Sequence, residues 1–519
     1  MNDPVSTAMS RRGFLRVGAA GVAGAALLGT AACSSKSKAT GTNSAAIDYY
    51  YSPCMMGKDP YSLKLMQSTF GVTFKTMYAV TQADYATKFT SFLSQGHIPD
   101  VMAINGPDML QKFAPQGAFG EISNDLVREY APKYAAGIDK NVPIAWATTL
   151  FNGKNYGFPG IGGVGAGLSS FTEWRTDLLE KAGVSGIPET LDEYESAFAA
   201  LKKIGVYGMT SGAQSFYAAF LTIFGAHGVM PMQWQLAGGK VVNASTLPET
   251  KQALELLASW YQKGYIDPEC MGVNPVQKFL AGKVGMWDYG GAIDIDPKDP
   301  SSRLYAVRQS NPEGKIAFAK PPEGPGGRAS WSFGTAGWPV AFSPDAVKDL
   351  GKVKDVLHMW DSIWSDNALA TKLSVGEEGT MYKVADPAKG INGDWEWIGK
   401  YTDPAARQAE GFNPYGAPFF GAPNWDISME LNLPKAATRK LLETYGKYGR
   451  ADLFQNAMTV PGSGQYMADL QQLKIKTFAQ IITGAAPVSS FDGFVSQWNS
   501  RGGANLEKAA NELYAQIPR

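Results

Sequence analysis

The sequence has few of the residues on which metal sites and disulfide-bonded domains depend. It contains 3 cysteines and 3 histidines among 519 residues. His97, His227 and His358 lie far apart, and neither an H-E-x-x-H nor a C-x-x-C spacing occurs, so we predict no metal site. The sequence also lacks a Walker loop and a G-x-S-x-G nucleophile motif. It therefore predicts no cofactor and no catalytic residue.

An excess of charge of one sign is also absent. The chain has 47 basic and 47 acidic residues, and charged residues make up 18% of it. A nucleic-acid-binding protein carries a basic patch, so we expect no nucleic-acid partner. Aromatic residues are abundant by contrast, at 12%. Many stand in glycine- and proline-rich stretches, at 331–338, 394–397 and 412–420, where we expect loops to present them for binding.

An uncharged stretch near the N-terminus indicates export. Residues 17–32 are uncharged and rich in alanine and glycine. A membrane-spanning helix needs about 20 predominantly apolar residues, so this shorter stretch is typical of a secretory signal. Arg11 and Arg12, followed by a Phe-Leu pair, resemble the twin-arginine export motif. Residues 1–32 are therefore predicted to be a signal peptide of the twin-arginine type.

Cys33 follows two alanines and precedes a polar stretch. This arrangement resembles a bacterial lipoprotein cleavage site, at which the thiol is acylated and the protein is held on the outer face of the cytoplasmic membrane. Such sites favour leucine three residues before the cysteine, where this chain has Thr30. We predict a lipidated Cys33 with residues 33–46 as a tether; free secretion or a periplasmic location stays open. Whether Cys54 and Cys270 form a disulfide is also open.

The predicted secondary structure alternates between strands and helices, which indicates an α/β fold. Residues 47–51 and 100–104 are predicted strands. Each ends at a polar residue, Ser52 and Asn105, at the position where an α/β sheet opens its ligand crevice.

Helical spacing of apolar residues predicts three amphipathic helices, over 84–93, 191–201 and 249–261. Thr190 precedes the second of these, and Glu193 follows three residues later. This spacing predicts a capping box at the start of that helix.

Two motifs suggest other chemistry, and we interpret both as structural. Residues 160–165 formally satisfy the G-x-G-x-x-G dinucleotide fingerprint, but no strand and acidic residue follow at the required spacing, so a flexible hinge is preferred. Residues 294–299 contain clustered carboxylates but lack the glycine and terminal glutamate of a calcium loop. A solvated loop is predicted there.

Several segments, in order, resemble the extracellular solute-binding proteins of bacterial ABC importers, in particular the lipoprotein branch that handles oligosaccharides. The segments lie at 89–101, 151–159, 174–183, 239–241, 260–269, 279–287, 321–327 and 376–382. Each is short, but their shared order extends over most of the chain.

The resemblance implies a two-lobe periplasmic-binding-protein fold of type II, in which two α/β lobes close on a ligand like a Venus flytrap. Three interlobe crossings are expected, at 159–167, 331–340 and 385–405. Lobe 1 is then formed by 47–163 and 333–400, and lobe 2 by 164–332 and 401–519.

The function implied by the resemblance is capture of a carbohydrate between the lobes and delivery to the membrane permease subunits of an ABC importer, by a monomer without enzymatic activity. Sugars offer apolar faces and many hydroxyl groups, so aromatic and polar side chains bind them. The predicted ligand-binding residues are Tyr51, Ser52, Asn105, Tyr217, Trp287, Asp288, Tyr289, Trp331, Trp338 and Glu378.

A secreted glycoside hydrolase is the alternative function. Glycosidases also have aromatic clefts, and they use a pair of carboxyl groups as acid and base. The candidate carboxyl groups for this pair belong to Asp288, Glu377, Glu378, Asp394 and Glu396. Sequence gives no distances between them, so this alternative stays open.

Overall fold

The computed structural model describes most of the chain that follows the predicted tether. The described residues are 46–51, 57–79, 85–104, 107–161, 169–211, 219–231, 233–272, 275–291, 294–297, 300, 302–332, 334–412, 426–455 and 458–517. Arg11, Arg12 and Cys33 lie outside them. Residues Thr42–Arg519 form one compact unit.

The first part of the chain alternates between strands and helices. Its elements are β1 (Ile47–Tyr51), α1 (Tyr61–Phe70), β2 (Phe74–Ala79), α2 (Tyr85–Ser94), β3 (Val101–Ala103), α3 (Pro107–Phe113), α4 (Asn124–Tyr130), α5 (Pro132–Asn141), β4 (Leu150–Phe151), β5 (Lys154–Asn155) and β6 (Gly157–Ile161). The strands predicted near 47–51 and 100–104 and the helix predicted near 84–93 are thereby confirmed as β1, β3 and α2.

The middle part builds a second α/β layer. Its elements are β7 (Phe171–Arg175), α6 (Thr176–Lys181), α7 (Leu191–Lys203), β8 (Tyr207–Met209), α8 (Leu221–Ala226), β9 (Trp234–Ala237), β10 (Lys240–Asn243), α9 (Pro248–Gln262), α10 (Pro275–Leu280), β11 (Val284–Gly290), α11 (Arg303–Ser310), β12 (Ile316–Ala319) and β13 (Ser330–Ser332). The two helices predicted near 191–201 and 249–261 are confirmed as α7 and α9.

The last part returns to the first layer and ends on the second. Its elements are β14 (Ala336–Phe342), α12 (Leu350–Ser365), α13 (Asn367–Val375), β15 (Tyr382–Val384), β16 (Trp395–Trp397), α14 (Pro404–Ala409), α15 (Ser428–Asn432), α16 (Ala436–Gly446), β17 (Gly449–Ala451), α17 (Ser463–Ile482), α18 (Ser490–Trp498) and α19 (Ala504–Tyr514).

Two sheets form the centres of the two lobes. The first has five strands in the order β2-β1-β3-β14-β6, and the second has four in the order β12-β7-β11-β8. In the first, β1 runs parallel to β2 and β3, while β14 is antiparallel to both of its neighbours. In the second, β11 is parallel to β8 and antiparallel to β7. The chain passes from the first sheet to the second after β6 and returns between β13 and β14.

Each sheet has its own apolar core. The first core draws on residues between Ile47 and Ile161 and between Val340 and Leu373. The second draws on residues between Trp174 and Ala319 and again beyond Phe454. Tyr49 and Tyr50 are both buried although they point to opposite faces of β1. The strand β1 has parallel neighbours on both sides, and parallel strands are typically covered by helices on both faces.

Local sequence explains where individual elements begin. Thr190 Oγ1 accepts the amide of Glu193 at 3.2 Å, and the Glu193 carboxylate accepts the amide of Thr190 at 3.2 Å. The predicted capping box is therefore confirmed. Asn152 and Gly153 join β4 to β5 with φ of 49° and 76°, the left-handed pair that an Asn-Gly hairpin turn requires.

Several aromatic residues that we predicted to lie on loops lie on strands. Trp331 belongs to β13, Trp338 to β14, and Trp395 and Trp397 to β16. Trp395 is buried in a small apolar cluster with Tyr382 of β15, with residues of α13 and with residues at the start of and within α15. The loop prediction was wrong at these positions because alternating aromatic residues in a short strand carry little periodic signal beside glycine and proline. The crossing predicted at 385–405 stays a prediction. This segment contains β16, which pairs with β15 directly before it.

No helix in the described parts of the chain is long and apolar enough to span a membrane.

Candidate functional site

The predicted ligand-binding residues divide by where the structure places them. Ser52, Asn105 and Tyr217 lie outside the described residues. Tyr51 is the last residue of β1, and Trp338 lies within β14. Glu378 is exposed and follows α13. The other four lie at or beside the end of β11. Trp287, Asp288 and Tyr289 belong to β11, and Trp331 of β13 contacts Tyr289.

The end of β11 contains a β-bulge. Trp287 pairs with Glu173 and Gly290 pairs with Phe171. Asp288 and Tyr289 therefore face one residue of β7, Thr172. A bulge bends its strand and redirects side chains, and bulges are common beside functional sites. Here the bulge sends the side chains of Asp288 and Tyr289 to different neighbours.

Trp287 lies before the bulge and is 5% exposed. Its ring packs in an apolar cluster with Phe279, Leu304 and Val307. Its indole N–H donates to the carbonyl oxygen of Tyr289 at 2.8 Å. Trp287 therefore stabilises the bulge through its N–H while its ring packs in the apolar cluster. Its predicted contact with ligand stays a prediction.

Asp288 is 1% exposed and lies against the first residues of α8. Its Oδ2 accepts the backbone amide of Thr222 at 3.3 Å, whereas Oδ1 has no hydrogen-bond partner among the described residues. Burial raises the pKa of Asp288 to about 7, and the amides of α8 act in the opposite direction. Phe220, directly before α8, has a left-handed φ of 54°, which is strained for a bulky side chain.

Tyr289 and Trp331 form an aromatic pair beside the passage between the sheets. Their ring centroids are 5.9 Å apart with an interplanar angle of 46°. Tyr289 is partly exposed, whereas Trp331 is buried against Leu221 and Met230. The carbonyl of Trp331 accepts the amide of Ser170 at 2.8 Å. The pair thus joins the end of β11 to the strands that lead into and out of the second lobe.

A buried ionic cluster lies on the other side of the bulge. Arg303, the first residue of α11, donates to Glu173 Oε1 at 3.0 Å and also forms an ion pair with Asp294. Asp294 is buried, so the solvated loop that we predicted there was wrong at this residue: Arg303 compensates its charge inside the protein. Burial raises the pKa of Glu173 well above its usual range, and Arg303 opposes that shift.

Sequence reasoning missed Glu173 and Arg303. A signal for the first was present, since a glutamate in the middle of a buried strand requires a compensating partner. Nothing in the sequence identifies Arg303 as that partner, because 130 residues separate the two.

The remaining candidate acids of a glycosidase lie on other elements. Glu377 accepts the hydroxyl of Tyr61 at 2.6 Å and pairs with Lys372, and the hydrogen bond from Tyr61 lowers its pKa. Asp394 accepts the amide of Ala436. Glu396 pairs with Lys383 at 2.9 Å on the adjacent strand.

A cavity of about 570 Å³ lies between the lobes away from these residues. Its wall in the first lobe includes Trp146 and the β4–β5 hairpin, and its wall in the second includes Thr459 and the end of α19. Of the predicted ligand-binding residues whose side chains the structure describes, which are Trp287, Asp288, Tyr289, Trp331 and Glu378, none lines it. Within the described residues we find no group of three or more His, Cys, Asp or Glu placed to hold a metal ion.

Cys270 is a free, buried cysteine in the second core. Burial raises the pKa of its thiol to about 12, so the thiol is unreactive at neutral pH. Cys54 lies outside the described residues.

The chain belongs to a family described as bacterial extracellular solute-binding protein, whose sequence profile matches residues 63–338. It is 24% identical over 479 residues to Lipoprotein LipO of Bacillus subtilis (strain 168), covering 87% of this chain and 88% of that protein. It is also 24% identical over 322 residues to the polygalacturonan/rhamnogalacturonan-binding protein YtcQ of the same strain, covering 58% of this chain and 59% of that protein.

Solved structures of solute-binding proteins share the fold. A protein from Bifidobacterium longum infantis described as an HMO-binding, ABC-transporter-associated solute-binding protein superposes with a TM-score of 0.65 at 15% identity, over 90% of this chain and 98% of that chain. The alginate-binding protein AlgQ2 superposes with a TM-score of 0.62 at 17% identity, over 92% of this chain and 100% of that chain. FusA of S. pneumoniae, in complex with kestose, superposes with a TM-score of 0.62 at 16% identity, over 91% of this chain and 99% of that chain. The predicted two-lobe α/β fold is confirmed.

Proposed function

We propose that this protein captures a carbohydrate, specifically an oligosaccharide, between its two lobes and delivers it to the permease subunits of an ABC importer. The observation that carries the proposal is the Tyr289–Trp331 pair, which stands where the chain passes between the sheets. Aromatic rings bind the apolar faces of sugars. YtcQ is described as polygalacturonan/rhamnogalacturonan-binding and AlgQ2 as alginate-binding, and FusA is in complex with kestose. These carbohydrates support the same ligand class here.

The proposed lobe boundaries remain 47–163 with 333–400 and 164–332 with 401–519. The apolar cores support this division, since the first core ends near Leu373 and the second resumes at Phe454. Ligand would then contact the carboxyl end of β1, the bulge in β11 and the passage at β13. Tyr51, Ser52, Asn105, Tyr217, Trp338 and Glu378 stay proposed ligand contacts.

A binding function without catalysis fits the carboxyl groups better than glycoside hydrolysis does. A glycosidase needs a general acid with a raised pKa that reaches the glycosidic oxygen. The pKa of Glu377 is lowered, so Glu377 is a poor acid. The pKa of Asp288 is raised, but its carboxyl group is buried beneath α8.

The experiment that tests this proposal is a thermal-shift screen of the purified protein with oligogalacturonate, alginate oligosaccharides and kestose, followed by chromatography of each sugar that stabilises it. A ligand that binds the native state raises the apparent Tm. We expect a higher Tm with the sugar recovered intact. Consumption of the sugar would support the hydrolase instead, and the absence of any shift would contradict this ligand class.

We also propose that Cys33 anchors the exported protein to the outer face of the membrane after twin-arginine export. The lipoprotein name of LipO supports an anchor of this kind. Replacing the acylated cysteine removes the only lipid attachment proposed, so Cys33→Ala should move the protein from the membrane fraction to the soluble fraction. Arg11→Lys with Arg12→Lys is the matched variant for export, and it should retain the protein in the cytoplasm.

A further inference from the structure

The bulge in β11 is held through a backbone atom, the carbonyl oxygen of Tyr289. This oxygen accepts the indole N–H of Trp287 at 2.8 Å and Nη2 of Arg303 at 3.3 Å. A bulge interrupts the ladder of a sheet, so its carbonyl groups lose their usual partners. Two side chains replace them here.

Arg303 can act on this carbonyl because buried carboxyl groups hold its guanidinium group. Nη1 contacts Glu173 Oε1 on β7 and Asp294 in the segment after β11. The guanidinium carbon also lies 5.9 Å from the ring centroid of Trp287. A planar guanidinium group with several donors suits such a site, whereas a lysine ammonium group contacts fewer acceptors at fixed angles.

The backbone after the bulge is shaped to receive the same cluster. A Cβ at Gly290 would lie 2.2 Å from Glu173 Oε1, so only glycine lets the glutamate pack on the strand at this point. The amide of Gly291 donates to Asp294 Oδ2. The cluster thus contacts the chain directly before and directly after Gly290.

We propose that Arg303 is a positioning residue for ligand binding, which locks the β11 bulge so that Tyr289 is presented beside Trp331. The inference rests on the proposed function for its link to a sugar, but the lock itself is a property of the ligand-free protein. Glu173 and Asp294 hold Arg303 in place, and Trp287 shares the carbonyl contact.

The first test measures the lock without ligand, by amide hydrogen exchange of the segment 284–291 in Arg303→Met. Amides that open locally exchange faster, and we expect exchange at Gly290 and Gly291 to rise at least tenfold while β8 is unchanged. Exchange at Gly290 and Gly291 in Arg303→Lys should be intermediate between that in wild type and that in Arg303→Met. Unchanged exchange in Arg303→Met would overturn the inference.

Arg128→Met is the matched control. Arg128 also pairs with a carboxylate, Asp139, and lies over a tryptophan ring, that of Trp146, at 4.4 Å. It lies on α4, in the first lobe. We expect this variant to leave exchange at 284–291 as in wild type; faster exchange there would mean that the effect is not specific to Arg303, and would count against the inference.

The second test measures affinity for whichever of oligogalacturonate, alginate oligosaccharide or kestose stabilises the wild type. Arg303→Met should weaken binding about tenfold, and Arg303→Lys should restore part of it. Equal affinity in Arg303→Met and wild type would overturn the positioning role. If no sugar binds the wild type while Arg303→Met still exchanges faster, the proposed ligand is wrong but the lock is supported.

Trp287→Phe tests the same carbonyl with less risk to folding. The substitution keeps an aromatic ring in the apolar cluster, and it removes the N–H that donates to the Tyr289 carbonyl together with part of the ring volume. We expect faster exchange at 284–291, by a smaller factor than in Arg303→Met. Wild-type exchange in a folded Trp287→Phe variant would overturn the shared role of the two donors.

Discussion

Both lobes bury a carboxylate on a central strand, but at opposite ends. In the first lobe, Asp48 lies near the start of β1. Nζ of Lys75, whose side chain is largely exposed, lies 3.8 Å from Asp48 Oδ2. In the second lobe, Asp288 stands near the end of β11, and Glu173 lies opposite the same strand, paired with a mostly buried Arg303. In an α/β sheet the carboxyl ends of parallel strands open onto the ligand, and β11 runs parallel to β8.

This difference indicates which buried charges serve the site. Both carboxylates are buried, and each has one oxygen, Oδ1, without a hydrogen-bond partner among the described residues. Oδ2 of Asp48 lies 3.8 Å from the side chains of Lys75 and His97, whereas Asp288 forms no ion pair in the described part of the chain. A buried carboxyl group must be compensated or protonated. The second lobe therefore accepts a larger energetic cost, and it does so beside Tyr289 and Trp331, the aromatic pair of the candidate site.

Asp288→Asn is the substitution with the largest expected effect on this contrast. The unfolded chain ionises Asp288 near its usual pKa, while in the folded protein the pKa is about 7. Between pH 4 and 7 the unfolded state therefore binds fewer protons, and the free energy of unfolding falls as pH rises. The change amounts to about 4 kcal/mol. Asparagine cannot ionise, so the variant should gain stability relative to wild type across this range.

The measurement is Tm against pH for both proteins, with Asp48→Asn as the matched exchange on the central strand of the first lobe. The difference in Tm between Asp288→Asn and wild type should move in favour of the variant from pH 4 to pH 7 and then level off. A difference that does not change with pH would mean that Asp288 is not buried as described, and the contrast between the lobes would fail.

Local features of the fold could be predicted from the sequence, and the site could be predicted only in part. The strand β1 and the capping box of Thr190 and Glu193 depend on residues within a few positions of each other, and both are confirmed. The position of Tyr289 near Trp331 depends on how two distant strands meet, and the predicted list included both residues only through the family resemblance.

What the sequence could not provide is the register of β11 against β7. One residue of slip in a strand exchanges its two faces, and the bulge produces such a change between Trp287 and Gly290. The sequence alone therefore does not determine which neighbours the side chains of Asp288 and Tyr289 contact after the bulge, and the ligand contact of Trp287 stays a prediction. The positioning role proposed for Arg303 could not be predicted for the same reason, because only the pairing of β11 with β7 brings its partners together.

The smallest expected effect comes from removing a helix cap. This loss of stability should be about the same in both lobes and should not depend on pH. Thr190 caps α7 in the second lobe with a reciprocal contact from Glu193. Ser123 caps α4 in the first lobe by accepting the amide of Leu126 at 3.1 Å. Removing a cap costs about 1 kcal/mol, so Thr190→Ala and Ser123→Ala should each lower stability by about that amount at every pH.

Calorimetric Tm values at pH 5 and pH 8 would measure both cap variants. The two effects should be of similar size, because Thr190→Ala removes only the hydroxyl that accepts the Glu193 amide, while the Glu193 carboxylate keeps the backbone amides of Glu189 and Thr190. A cap effect that changed with pH as Asp288→Asn does would show that the second lobe responds as a whole to pH. The pH dependence could then no longer be assigned to the buried carboxyl group beside the bulge.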